Sequence, residues 1–144
     1  MKDKILAKSH LLENNLNFVI ARDNQILLDS SAKGIKPIFD AYRESKEDLK
    51  NASVADRVIG KAASMFLIAG DIKSLYTDLI SDIAYDLLQK NGIQVEYSKK
   101  VPMILNRTGD DICPMEKLSS ESKDVDELIL NIEKFLISLN RLER

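Results

Sequence analysis

The chain has 144 residues, 44% hydrophobic and 31% charged, with a net charge of −2. By length it is one domain, able to bury roughly 68–70% of its unfolded surface. Lysines and arginines are interleaved with acids, which argues against nucleic-acid backbone binding, and a single cysteine excludes an internal disulfide and fits a reducing compartment.

Residues 3–13 place Ile5, Leu6, His10 and Leu12 around a short helix, with Asn14-Asn15 as its stop. This segment is amphipathic and contains acids. It has neither the apolar core nor the cleavage site of a signal peptide, and no run approaches about 18 apolar residues. A cytoplasmic location with no membrane partner is expected. "NFVIA" and "QILLDS" are apolar runs separated by Arg22-Asp23-Asn24, which predicts a β-hairpin. After Gly34, Pro37 suits the first turn of a helix carrying Ile38, Phe39 and Tyr42 on one face.

Ser53-Val54-Ala55-Asp56 has the spacing of a helix N-cap followed by an acid, so a long buried helix is predicted from there, bearing Val58, Ile59, Ala62, Ala63, Phe66 and Leu67. Gly60, Ala62, Ala63 and Ser64 would let another backbone approach. Gly70 is expected to close the helix with a positive φ. "IKSLYTDLIS" reads as a strand, and Ser81 can cap the helix "DIAYDLLQKNG". "IQVEYSKKV" is the next strand, with "PMILN" as a candidate extra one. Two strands joined through a helix should run parallel. The final helix, about 124–142, sets Val125, Leu128, Ile129, Ile132, Phe135, Leu136 and Leu139 on one face; Leu130 and Ile137 fall outside it and suggest a second contact or a homo-oligomer interface. The whole is an α/β domain with a mixed sheet, in which ligands favour the carboxyl ends of strands and helix starts.

Lys33-Gly34-Ile35-Lys36-Pro37, "SVADRVIGKAA" at 53–63, "NRTG" at 106–109 and "CPME" at 113–116 together resemble a family known only as domain of unknown function 1893, and more broadly the cytidine deaminase-like fold. The resemblance implies a three-layer domain over residues 1–122, with 123–144 as a C-terminal helix packed on it. Zinc deaminases of that fold hold the metal with His or Cys ligands at two helix starts, beside a proton-shuttling Glu. The corresponding starts here are expected at "SVADR" and at Ile80–Ala84, and neither has a thiol or imidazole. His10 and Cys113 are the only soft ligands in the chain, so no metal or cofactor is expected and zinc-dependent deamination is excluded.

The candidate chemistry is then metal-free. Cys113, before Pro114, would sit at a helix start that favours thiolate; the plainer reading is a small buried hydrophobe. Asp56 is expected to cap the helix. Lys61, its stem along apolar surface, could hold an anion or act as base or nucleophile, or simply snorkel to an acid. Arg107, Thr108 and Gly109 offer a guanidinium, a hydroxyl and flexible backbone suited to phosphate or carboxylate, and equally to a surface turn. Lys36 flanks another glycine turn. Glu116 is expected to cap its own helix. The reading is a protein that binds a small anionic or nucleotide-like ligand through Lys36, Arg107, Thr108 and Gly109. The alternatives are a metal-independent enzyme using Cys113, Lys61 and Asp56, or an interaction protein whose pocket is filled.

Overall fold

The computed structural model describes residues 2–105, 109, 111 and 113–142, with side chains through 138. In chain order the elements are α1 (Lys2–Glu13), β1 (Phe18–Arg22), β2 (Gln25–Ser30), α2 (Lys36–Glu44), α3 (Lys46–Leu49), β3 (Ser53–Ile59), α4 (Lys61–Ala69), β4 (Ser74–Ser81), α5 (Asp82–Lys90), β5 (Gln94–Val101), α6 (Pro114–Ser120) and α7 (Val125–Leu142). The strands form one sheet in the order β2-β1-β3-β4-β5. β1 pairs antiparallel with both β2 and β3, whereas β3–β4 and β4–β5 are parallel. The predicted mixed α/β sheet is therefore present, with β4 and β5 parallel across α5 as expected.

Local chemistry explains most of the boundaries. Asp23 and Asn24 take positive φ values of 52° and 61°, the twist that a tight two-residue hairpin requires. Pro37 stands in the first turn of α2, where a missing N–H costs nothing. The Ser81 hydroxyl accepts from the Ala84 N–H at the start of α5.

One expectation is overturned. Residues 53–59 are not the first half of a helix but the central strand β3, and the helix begins only at Lys61. A strand with parallel and antiparallel neighbours and helices over both faces is buried on both sides along its first four residues, so it loses there the alternation that marks a half-exposed strand. Ser53, Val54, Ala55 and Asp56 are all buried. Ser53 caps nothing: its hydroxyl meets that of Ser74 on β4 at 2.6 Å. Gly70 does end α4, but with φ −77°. Its requirement is space, since a Cβ there would lie 2.7 Å from Leu49 Cδ1. Among the described residues of "PMILN", 102–105, no further strand forms; Leu105 makes an isolated bridge.

The sheet separates two apolar clusters. On one side Phe18, Ile20, Val54 and Leu75 pack with α2, α4, α5 and α7, and Phe66 of α4 lies fully buried against the rings of Phe39 and Tyr42. On the other, α1 lays Ala7 and Leu11 on Val19, Ala21, Ala55 and Tyr76. Arg57, expected on a helix, instead leaves β3 on this second side. Its Nε donates to the Leu16 carbonyl at 2.8 Å, one terminal nitrogen reaches the Leu11 carbonyl, and the other pairs with Asp78 at 2.9 Å. α7 belongs to the same body, with Leu128 and Ile132 in the main core. No helix among the described residues is long and apolar enough to cross a membrane.

Candidate functional site

Parallel strands all release their chains at one end of the sheet, and helix starts gather there. β3 ends at Ile59, Gly60 turns the chain, and α4 starts at Lys61. Beside it lie the start of α2 and the start of α6, which Cys113 precedes as N-cap residue. Between the three is a cavity of about 110 Å³, walled by Gly34, Ile35 and Ile38 from the α2 end, Val58, Gly60, Ala62 and Ala63 from the β3–α4 turn, and Ile104, Cys113, Met115 and Glu116 from the return chain. Its lining is mainly apolar, and Glu116 is its one charged side chain among the described residues.

Glu116 does not cap its own helix. Its carboxylate crosses to α4, where Oε1 accepts from the Lys61 N–H at 2.7 Å, and the Ala62 N–H adds to the attraction. Free amide groups at a helix start attract negative charge, and here an internal carboxylate supplies it. Burial raises the Glu116 carboxyl above its ordinary range, opposed by those two N–H groups and by the Lys61 charge. Gly60 makes the arrangement possible: a Cβ at this position would fall 1.8 Å from Glu116 Oε1. Its backbone, φ −104° and ψ −170°, is ordinary extended chain, so the carboxylate is the main obstacle to a side chain, with Ile104 Cγ1 next at 3.3 Å. Gly60→Ala is therefore expected to expel Glu116 and cost about 1–2 kcal/mol, the usual worth of a helix cap. In a Glu116→Ala background the same change should be close to neutral, which a double-mutant cycle of urea melts would read directly.

Asp56 lies in β3 across from Phe18 and beside Thr77 of β4, 6% exposed. Its Oδ1 accepts from the backbone N–H groups of Arg57 (2.6 Å) and Val58 (3.3 Å). Burial pushes its pKa up to about 8, against the pull of those N–H groups and of the Arg57 guanidinium. It folds back on its own strand and is not among the residues lining the cavity.

The other predicted residues divide. Cys113 reaches the cavity wall, half-buried. Lys61 brings its backbone N–H to Glu116, but it is not among the lining residues. Lys36 is largely exposed and turned along α2 to Asp40, 2.7 Å away. Arg107 and Thr108 lie outside the described residues; Gly109 is described, with φ 77°. Asp111 pairs with Lys117 at 2.8 Å, and His10 with Asp29 at 2.8 Å; neither His10 nor Asp111 is among the residues lining the cavity. The "CPME" segment thus does come to the start of α4, whereas the expected ring of cations does not form from Lys36 and Lys61. A larger cleft, about 230 Å³, lies between β2 and α2 with Asp29, Asp40 and Glu44 on its walls. It is away from the parallel strand ends, and among the described residues no three acids, histidines or cysteines are grouped to hold a metal.

Sequence reasoning missed the role of Glu116. The signal was present in part, as a glycine immediately before a helix that lacks a capping side chain of its own.

A family model described as a domain of unknown function (DUF1893) matches residues 6–136. Among solved structures, a DUF1893 family protein from Thermotoga maritima is similar at 26% identity with a TM-score of 0.80, over 90% of this chain and 87% of that one. RibD from Acinetobacter baumannii is matched at 15% identity and a TM-score of 0.48, over 83% of this chain and 37% of RibD. No curated protein matches the chain.

Proposed function

The chain belongs to the DUF1893 family, and from that premise we propose that it binds a small, partly apolar ligand in the cavity where α2, α4 and α6 begin. The observation that carries this reading is the convergence of three helix starts on one mainly apolar concavity with a single charged wall group, the usual composition of a small-molecule site. At about 110 Å³ the space is below the roughly 300–1,000 Å³ of sites for drug-sized molecules. It takes a small compound, or one end of a larger one whose remainder lies outside. The expectation of an anionic ligand loses its most direct anchor, because Glu116 already occupies the start of α4.

The element order, a hairpin followed by parallel strands separated by helices, supports a further reading of the fold as a metal-free branch of the deaminase-like architecture. Cys113 gives the cavity a thiol, but the Lys61 and Asp56 side chains proposed to work with it are not part of the lining. Binding is therefore the stronger conclusion and reaction the weaker.

The test is mass spectrometry of molecules released from the purified protein, compared with a Val58→Trp variant. Val58 lines the cavity and is 45% exposed, so an indole there covers the opening on a strand residue that tolerates bulk. A small molecule released by the wild type and missing from the variant is expected. The same molecule released in equal amount from both would overturn the assignment to this cavity.

A further inference from the structure

Building on the small-ligand reading of this cavity, and resting on it, we propose that the cavity selects a ligand whose buried end presents hydrogen-bond donors, an amide or amidinium group. Glu116 is the residue that selects it.

Three observations support this. Glu116 is the only charged side chain on a mainly apolar wall, among the described residues, so it decides the polarity of whatever enters. Its carboxylate is held in place: the Lys61 N–H bonds it at 2.7 Å, and Gly60 leaves the space in which it sits. A carboxylate has about four acceptor sites, and the Lys61 N–H takes only part of that capacity. The third is that the α4 start, the feature of this cavity that would draw a free anion, is already satisfied. An entering carboxylate or phosphate would meet a second carboxylate in place of open N–H groups, whereas an entering N–H donor would find a preorganised acceptor. A polar wall group built to accept hydrogen bonds rejects analogues that cannot donate, because it would be left desolvated and unpaired.

Three isosteric probes separate these cases: isobutyramidinium, isobutyramide and isobutyrate, which share one apolar body and differ only in the head group. Each is titrated into the full chain at neutral pH while the backbone amide signals of Gly60, Lys61 and Ala62 are followed by NMR, with xenon as an apolar control for the cavity itself. Isobutyramidinium and isobutyramide are expected to shift these signals and isobutyrate to leave them unchanged. Glu116→Gln, which keeps an acceptor for α4 but removes the charge, should weaken isobutyramidinium by about tenfold, the worth of one hydrogen bond to a charged group. Isobutyrate binding as tightly as the amide, or an affinity for isobutyramidinium unchanged in Glu116→Gln, would overturn the proposal. Xenon entering while none of the three polar probes does would leave the cavity standing and remove the donor selectivity. No response to any probe, xenon included, would remove both.

Discussion

Asp56→Asn is expected to stabilise the protein at alkaline pH and to flatten its stability between about pH 4 and 8. The carboxyl of Asp56 is buried on the central strand, and that burial raises its pKa from 3.8 to about 8. In this window the folded chain keeps a proton that the unfolded chain has released. The stability associated with the protonated group is thus complete below about pH 4, is lost as pH rises, and is gone above about pH 8. The limiting slope for one group is about 1.4 kcal/mol per pH unit. The accumulated loss is a few kcal/mol against a total stability of roughly 5–15 kcal/mol. Asparagine keeps a carbonyl oxygen for the Arg57 and Val58 N–H groups and has nothing to ionise. Urea denaturation of both proteins across this range isolates the effect, because every other titrating group is shared. The variant should gain on the wild type steadily with pH; parallel curves would show that Asp56 is already ionised in the fold.

Phe66→Ala should cost about 3–5 kcal/mol, the range for truncating a core aromatic. The ring is fully buried and its loss removes two aromatic contacts at once, an edge-on one with Phe39 at 5.7 Å and a tilted one with Tyr42 at 5.4 Å. Both partners are on α2, so the void opens at the joint between α2 and α4. A loss below about 1 kcal/mol would mean that the helices close over the gap, which the rigid packing of interiors opposes.

How much of this architecture is legible in the chain depends on how local its causes are. The hairpin turn at Asp23-Asn24, the proline start of α2 and the Ser81 cap are fixed by residues within three or four positions, and each stands in the fold where the sequence puts it. β3 does not, because its Ser53-Val54-Ala55-Asp56 run has two explanations: a cap followed by a helix, or a strand kept small and apolar by neighbours on both faces. Only the partners decide between them, and Ser74 is 21 residues away. Glu116 shows the same limit. Three residues after Cys113 it fits a local cap, yet its bond is to Lys61, 55 residues earlier. Lys36 shows the opposite case, a local partner that the sequence did offer: it turns to Asp40, one helical turn along.

The guanidinium of Arg57 has a mechanical consequence. From the middle strand it grips two carbonyls, one in the last turn of α1 and one in the link beyond it, so the N-terminal helix is latched at the end where fraying would otherwise begin. Opening α1 then requires breaking into the sheet, and its slowest amide protons should exchange with solvent only when β3 itself opens. An N-terminal helix held this way is part of the same cooperative unit as the sheet, and cutting it off would take the Leu11 carbonyl from the guanidinium and bare the apolar face that α1 covers.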